Sequence, residues 1–311
     1  MPERDPINEL LWNAWGALGV STWSVGEVQT VIDPEVLIAA TATVGDERLF
    51  LETVDWGILH ASLLLPHRLR RLARETDVAA RVEGWIATVN AATADVSWTA
   101  HEPPIDGFVR SGKSMRFPDH GPHAPAAAAL RSRVMLGPSV RSEVVRSLHS
   151  VAVGIEPSLA AVDVAWRAAS TKSQVNGALE DLVGAGLVIR QGTPKRRRYA
   201  PQGRSGDAIA SGLWTPWSTY AYGPWREALR LLVLLDRIRG LAAGTATISA
   251  AVEARAHFAH AATLLGSIDA TWTTDSPQGS AATVLPAAAA LAADATERLA
   301  DRLTLGSRRS A

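Results

Sequence analysis

Between Ser139 and Ala200 the hydrophobic period changes from helical to alternating, and that change limits what the chain can fold into. Three segments carry apolar residues three and four apart; two short segments after them are strand-like, and one periodicity cannot serve the other element. Ser139 is placed to cap a first helix whose Val140, Val144, Val145 and Leu148 share a face. Ser158 is placed to cap a second helix, with Leu159, Val162 and Ala165 on its apolar side, and a turn at Ala169 and Ser170 separates it from a third. Thr171 and Gln174 have the spacing of a capping box. The third helix should bury Val175, Leu179, Leu182 and Val183, turn Lys172, Ser173, Asn176 and Glu180 outward, and stop at Gly186. LVIR, the turn-like QGTP and KRRRYA then predict two strands joined as a hairpin.

Charge singles out the same region. The whole chain is neutral, with 31 Lys or Arg against 31 Asp or Glu. Residues 1 to 130 carry 10 against 17, residues 131 to 204 carry 12 against 5, and residues 205 to 311 carry 9 against 9. Arg190, Lys195, Arg196, Arg197, Arg198 and Arg204 crowd into the hairpin and its C-terminal flank. Three helices ending in a cationic hairpin suit a duplex: the third helix can enter the major groove while the arginines meet phosphate or a neighbouring minor groove.

The stretch TKSQVNGALEDLVGAGLVIRQGTPKRRRYA resembles the winged helix-turn-helix regulators of the MarR and ArsR type. The resemblance implies a winged helix-turn-helix at residues 134 to 204, with Lys172, Ser173 and Asn176 making base or phosphate contacts and Arg196, Arg197 and Arg198 on the wing. Thr171, Gln174, Arg190 and Lys195 complete the candidate DNA-binding set. The expected function is sequence-specific binding of double-stranded DNA in transcriptional regulation, with a homodimer or a protein partner as the further expectation. The alternative is an adaptor, or an antitoxin-like partner protein, that uses the winged helix as a scaffold.

The expected fold is mainly α. Residues 1 to 93 form an acidic helical domain: Ile7, Leu10, Leu11, Ala14, Trp15 and Leu18 mark one helix stopped by Gly19, Asp33-Pro34 opens a second, and Asp46 a third. Two further helices carry Leu65, Leu69 and Leu72, then Val78, Val82, Trp85, Ile86 and Val89. Residues 94 to 133 are a proline-rich linker or covering segment, and residues 205 to 311 a helical C-terminal region.

Several motifs carry less. GFVRSGKS at Gly107 to Ser114 has phosphate-loop spacing but lacks the strand before it and the helix after it that such a loop requires. His101, His120 and His123 beside Asp106 and Asp119, and the pair His257 and His260, match no compact ligand pattern, so no metal or cofactor is expected. Glu52 and Asp55 have the look of helix surface, no acid-base pair stands out, and no enzyme is predicted. The chain has no cysteine, MPERDPINELL is not a secretory leader, and no long apolar run is free of charge, which points to a cytoplasmic, non-membrane protein. Eleven tryptophans stand against four phenylalanines. Trp12, Trp15, Trp56 and Trp85 fit core positions, while Trp214, Trp217, Tyr220, Tyr222 and Trp225 form the ligand or interface candidate.

Overall fold

A computed structural model describes residues 6–22, 28, 30–44, 46–114, 125–152, 158–194, 196–202, 221–222, 225–268, 271–272 and 275–305. These residues are mainly helical, with one three-stranded antiparallel sheet and one short parallel strand pair. Among them no helix is long and apolar enough to cross a membrane.

The first helices begin and end where the sequence supplies caps. α1 (Pro6–Ala17) stops before Gly19, whose φ of 100° is a conformation that only glycine adopts cheaply. Asp33 opens α2 (Pro34–Val44), its Oδ1 accepting from the Val36 amide at 3.3 Å, and Asp46 opens α3 (Glu47–His60), accepting from the Leu49 amide at 3.0 Å. α4 (Pro66–Arg74) also starts on proline, and α5 (Ala79–Ala92) follows it closely. α2 is buried from Pro34 through Ala42, apolar but for Glu35 and Thr41, and α1, α3, α4 and α5 all pack on it.

Trp15, Trp56 and Trp85 are wholly buried in this layer, and each indole N–H finds an acceptor. Trp15 donates to Thr41 Oγ1 at 2.8 Å, Trp56 to the Leu18 carbonyl at 2.8 Å, and Trp85 to Thr53 Oγ1 at 3.1 Å. An unpaired donor at such a place would cost about 1 to 3 kcal/mol. Trp12 is half-buried and donates to Asp46 Oδ2 at 3.0 Å.

Near the other end of the chain α10 (Trp225–Ala243), α11 (Ile248–Ile268) and α12 (Ala281–Leu305) pack on one another. α10 also lies against α2 and α12 against α1, so apolar residues from Ile7 to Leu130 and from Trp225 to Leu299 form one continuous core. Strand β1 (Thr30–Val31) pairs in parallel with β5 (Ala221–Tyr222) between the same two parts.

Residues 93–114 cover α3 and α5, with Val96, Trp98, Ile105 and Phe108 against the core and the Ile105 amide donating to Thr88 Oγ1 at 2.7 Å. Asp55 is 1% exposed, a correction to its expected place on the helix surface. The amides of Gly112 and Ser114 donate to its two oxygens at 3.2 and 3.3 Å, so the phosphate-loop look-alike uses its N–H groups on this carboxylate.

The middle of the chain has its own core. α6 (Ala128–Leu136), whose Leu130 belongs to the large core, leads into it, and it comprises α7 (Val140–Ala152), β2 (Leu159–Ala160), α8 (Ala161–Arg167), α9 (Lys172–Gly184), β3 (Val188–Gln191) and β4 (Arg198–Pro201). β4 runs antiparallel between β2 and β3, and Tyr199 stands opposite both Leu159 and Arg190. Val144, Val145, Leu148, Val164, Val175, Leu179, Leu182, Val188 and Tyr199 fill the space beneath. The Ser139 hydroxyl accepts from the Ser142 amide at 3.4 Å, at the start of α7.

Two local expectations fail here. Ser158 does not cap the second helix, because Leu159 and Ala160 are taken up by β pairing and α8 starts at Ala161, where Asp163 Oδ2 accepts from the Ala160 amide at 3.2 Å. A strand partner distant in sequence has overridden the local cap. Val162 is 58% exposed rather than apolar and buried, since the buried stripe of α8 runs through Ala161, Val164, Ala165 and Ala168.

Candidate nucleic-acid interface

The chain turns from α8 into α9 at Ala169, which holds a φ of 45°. An alanine tolerates that conformation only where its surroundings fix it. Here Ala169 is 2% exposed, and the Ser170 amide donates to the Ala165 carbonyl at 3.1 Å.

Thr171 then opens α9 as the sequence spacing predicts. Its Oγ1 accepts from the Gln174 amide at 3.3 Å, and Gln174 Oε1 accepts from the Thr171 amide at 3.2 Å. Such a cap stabilises a helix by about 1 kcal/mol, so these two candidates hold the start of the helix. Lys172, Ser173 and Gly177 are exposed, Asn176 is half-buried, and the first turn carries no acidic residue. A methyl group on Gly177 would meet nothing within 4 Å, which leaves this face of the helix open.

β3 and β4 carry the hairpin. Gly192 has a φ of 83°, and a Cβ there would stand 2.5 Å from the Arg196 carbonyl oxygen, so the tip requires glycine. The Arg196 amide donates to the Thr193 carbonyl at 2.9 Å and closes the turn. Arg196 and Arg197 are exposed; Lys195 lies outside the described residues.

Two other candidate arginines, both exposed, have partners within the unit. Arg190 Nη1 reaches Glu180 Oε2 at 3.1 Å, and Glu180 Oε1 also accepts from the Tyr199 hydroxyl at 3.2 Å. Arg198 donates through Nε to Ser158 Oγ at 2.8 Å and through Nη2 to the Ser158 carbonyl at 2.5 Å, stapling β4 to the start of β2.

Of the aromatic group, Trp214, Trp217 and Tyr220 lie outside the described residues, and Tyr222 is placed in β5. Trp225 is 4% exposed and donates to the Val31 carbonyl at 2.5 Å, so it belongs to the core between α10 and β1.

Beneath the unit six charged side chains close on one another with side-chain exposures of 3% or less. Arg68 on α4 meets Asp33 at 2.5 Å and Glu35 at 2.7 Å. Arg133 on α6 meets Glu35 at 2.6 Å and Glu143 at 2.7 Å. Arg146 on α7 meets Glu143 at 2.7 Å and Asp33 at 3.2 Å. Burial pushes the Asp33 carboxyl up, but Arg68, Arg146 and Arg133 together outweigh it and hold the group well below the usual carboxylate range. Glu143 is likewise raised by burial and drawn down further by Arg133, Arg146 and Arg68, to about 2. Among the described residues three guanidiniums thus face three carboxylates. Arg133 and Arg146 belong to the basic segment 131 to 204 by sequence, yet both are interior, so the surface is less basic than the residue count.

The end of α8 is held in a way that no local pattern announces. The Trp166 carbonyl accepts from Arg226 Nη1, the Arg167 carbonyl from Arg146 Nη2 at 2.9 Å, and the Ala168 carbonyl from Arg68 Nε at 3.0 Å. Arg226 and Arg230 of α10 both lie over the Trp166 ring, at 3.6 and 4.3 Å from its centroid, and the Trp166 indole donates to Glu227 at 2.8 Å. Among the described residues no group of three or more His, Cys, Asp or Glu side chains is placed to hold a metal ion.

No family model matches this chain, and comparison with curated proteins and with solved structures finds no match either.

Proposed function

We propose that the segment at about residues 134 to 200 is a winged helix-turn-helix that binds double-stranded DNA sequence-specifically, and that the protein regulates transcription. α9 enters the major groove by its first two turns, and the hairpin arginines hold phosphate beside it. One observation carries this reading: the open face at Lys172, Ser173, Asn176 and Gly177 and the exposed Arg196 and Arg197 belong to a single small unit. The order helix, strand, helix, helix, hairpin, with the last strand between the other two, supports it.

Selection of bound fragments from random genomic DNA, followed by titration of the selected and a scrambled duplex at several salt concentrations, tests the proposal. A preferred sequence is expected, with affinity falling as salt rises by about 0.9 logarithmic units for each phosphate contact. Failure to enrich any sequence overturns it.

A second reading, the protein-interaction adaptor, is favoured by Val134 and Met135 on α6 and Val162 on α8, which are 60%, 59% and 58% exposed. Replacing all three by serine would abolish a protein contact made there. The same replacement would leave duplex affinity unchanged under the first reading.

A further inference from the structure

The α8 end has more than its local partners: the Trp166 carbonyl accepts from the Ala169 amide at 3.1 Å and the Ala168 carbonyl from Ser170 Oγ at 3.2 Å, and side chains from other helices are added to these. A helix leaves its last carbonyls without intrahelical donors and carries partial negative charge there. Helices commonly satisfy such groups by a glycine turn, by water or by nearby basic residues. Here Trp166, Arg167 and Ala168 each receive a guanidinium from a different helix: α10, α7 and α4. Ala168 and Ala169 are buried, and Ala169 packs with the large helical core rather than with the core of its own unit.

We infer that Arg68, Arg146 and Arg226 are positioning residues for α9, so that the helical bundle sets the pose in which the reading helix meets DNA. This rests on the DNA-binding proposal above. α9 starts at Lys172, four residues after the last gripped carbonyl, and the buried Ala169, with a φ of 45°, lies in the turn between. Two of the three arginines come from outside the central unit, and each is itself anchored: Arg68 by Asp33 and Glu35, Arg226 by Glu75. A planar guanidinium held on two sides passes on position as well as charge. Base readout needs donors and acceptors placed to within about 0.5 Å, whereas attraction to phosphate is present at every sequence and tolerates small displacement. Loosening the grip therefore costs discrimination and spares the salt-dependent attraction.

The experiment compares the full-length protein with Arg226→Gln, Arg226→Lys and Glu75→Gln. Glu75 touches Arg226 without touching α8, and its side chain is 18% exposed, so Glu75→Gln weakens the anchor mildly and serves if the arginine variants do not fold. Each is titrated on selected and scrambled duplexes over several salt concentrations, and amide hydrogen exchange is followed across residues 34 to 44 and 161 to 184 without DNA. The expected result for Arg226→Gln is a loss on the order of tenfold in the ratio of selected to scrambled affinity, an unchanged salt slope, and faster exchange in α8 and α9 with α2 unaltered. A smaller loss is expected for Arg226→Lys and Glu75→Gln. A purely structural role would lower the melting temperature and leave the ratio intact, and that outcome overturns the inference; so does a flattened slope, which would make Arg226 a phosphate contact. Wild-type protein that prefers no duplex overturns the DNA-binding reading itself, whereas a selective wild type with unchanged ratios in all folded variants overturns only the positioning role.

Discussion

Arg133 forks over Glu35, Nη1 to Oε1 at 2.6 Å and Nη2 to Oε2 at 2.7 Å, with neither side chain exposed and 98 residues of chain between them. The pair binds the helix next to the basic hairpin unit to the first turn of the most buried helix in the bundle. Its value lies in completeness. A buried pair can be replaced by apolar groups at little cost, but removing one member leaves the other charged and without water.

Glu35→Ala should therefore destabilise the fold by about 3 to 5 kcal/mol, because Arg68 and Arg133 both lose a carboxylate. Urea denaturation checks it. A loss below about 1 kcal/mol would mean that the cluster is far more hydrated than its geometry implies.

Acid should act through the same cluster. Glu143 is held at about 2 against an ordinary 4.5, and Asp33 is also depressed, so the folded state binds fewer protons than the unfolded one in acid. Their stabilisation is complete above about pH 4.5 and is lost as the pH falls towards 2. Denaturation midpoints across that window should fall steeply for the wild-type protein and less steeply for Glu143→Gln, which starts from a lower plateau.

Neighbouring wing arginines should separate cleanly. Arg197→Ala removes an exposed cation and should flatten the salt slope by about one unit on selected and scrambled duplexes alike. Arg198→Ala breaks two bonds to Ser158 and should lower the melting temperature with little change in slope. Matched titrations and thermal melts distinguish the two; equal slopes for wild type and Arg197→Ala would take the wing off the DNA.

Gly177 tests the exposed face of α9 from both sides. A glycine inside a helix costs about 0.5 to 1 kcal/mol against alanine, and a methyl group there meets no protein atom, so Gly177→Ala should stabilise the free protein by that amount. On selected duplex the same methyl should weaken binding if the face lies against base edges. A more stable protein with undiminished affinity would move the groove contact to another face.

Gly57 makes the opposite case. A Cβ there would sit 2.3 Å from Trp85 Cζ2, and Trp85 is wholly buried and cannot withdraw. Gly57→Ala should cost about 1 to 3 kcal/mol by overpacking, despite the better helix propensity of alanine. Chemical denaturation measures it directly.

Features that depend on near neighbours were legible in the sequence. Asp33, Asp46, and the Thr171 and Gln174 pair cap helices where their spacing says they should, and Gly186 follows α9 with a φ of 70°. The buried cluster was not legible. Glu35, Arg68, Arg133, Glu143 and Arg146 look like surface residues in sequence, and only tertiary packing brings them together. Ser158 fails as a cap for a related reason: Leu159 and Ala160 pair with Tyr199 and Arg198, forty residues on, and Ser158 accepts from Arg198 instead. The exposed face of α9 could be read from helical period. That Arg190 and Arg198 are already engaged, and that three arginines grip the end of α8, could not.

The two cores imply an order of assembly during synthesis. Among the described residues the central core draws on the stretch between Leu136 and Ala200, so those contacts can close soon after that stretch leaves the ribosome. The larger core cannot. α1 must wait for α12 and α2 for α10, partners made near the two ends of the chain, and loops that long close slowly. A nascent chain halted after Gln202 would carry a finished hairpin unit beside a half-built apolar face, a species prone to aggregate and a natural substrate for a chaperone that shields exposed helices.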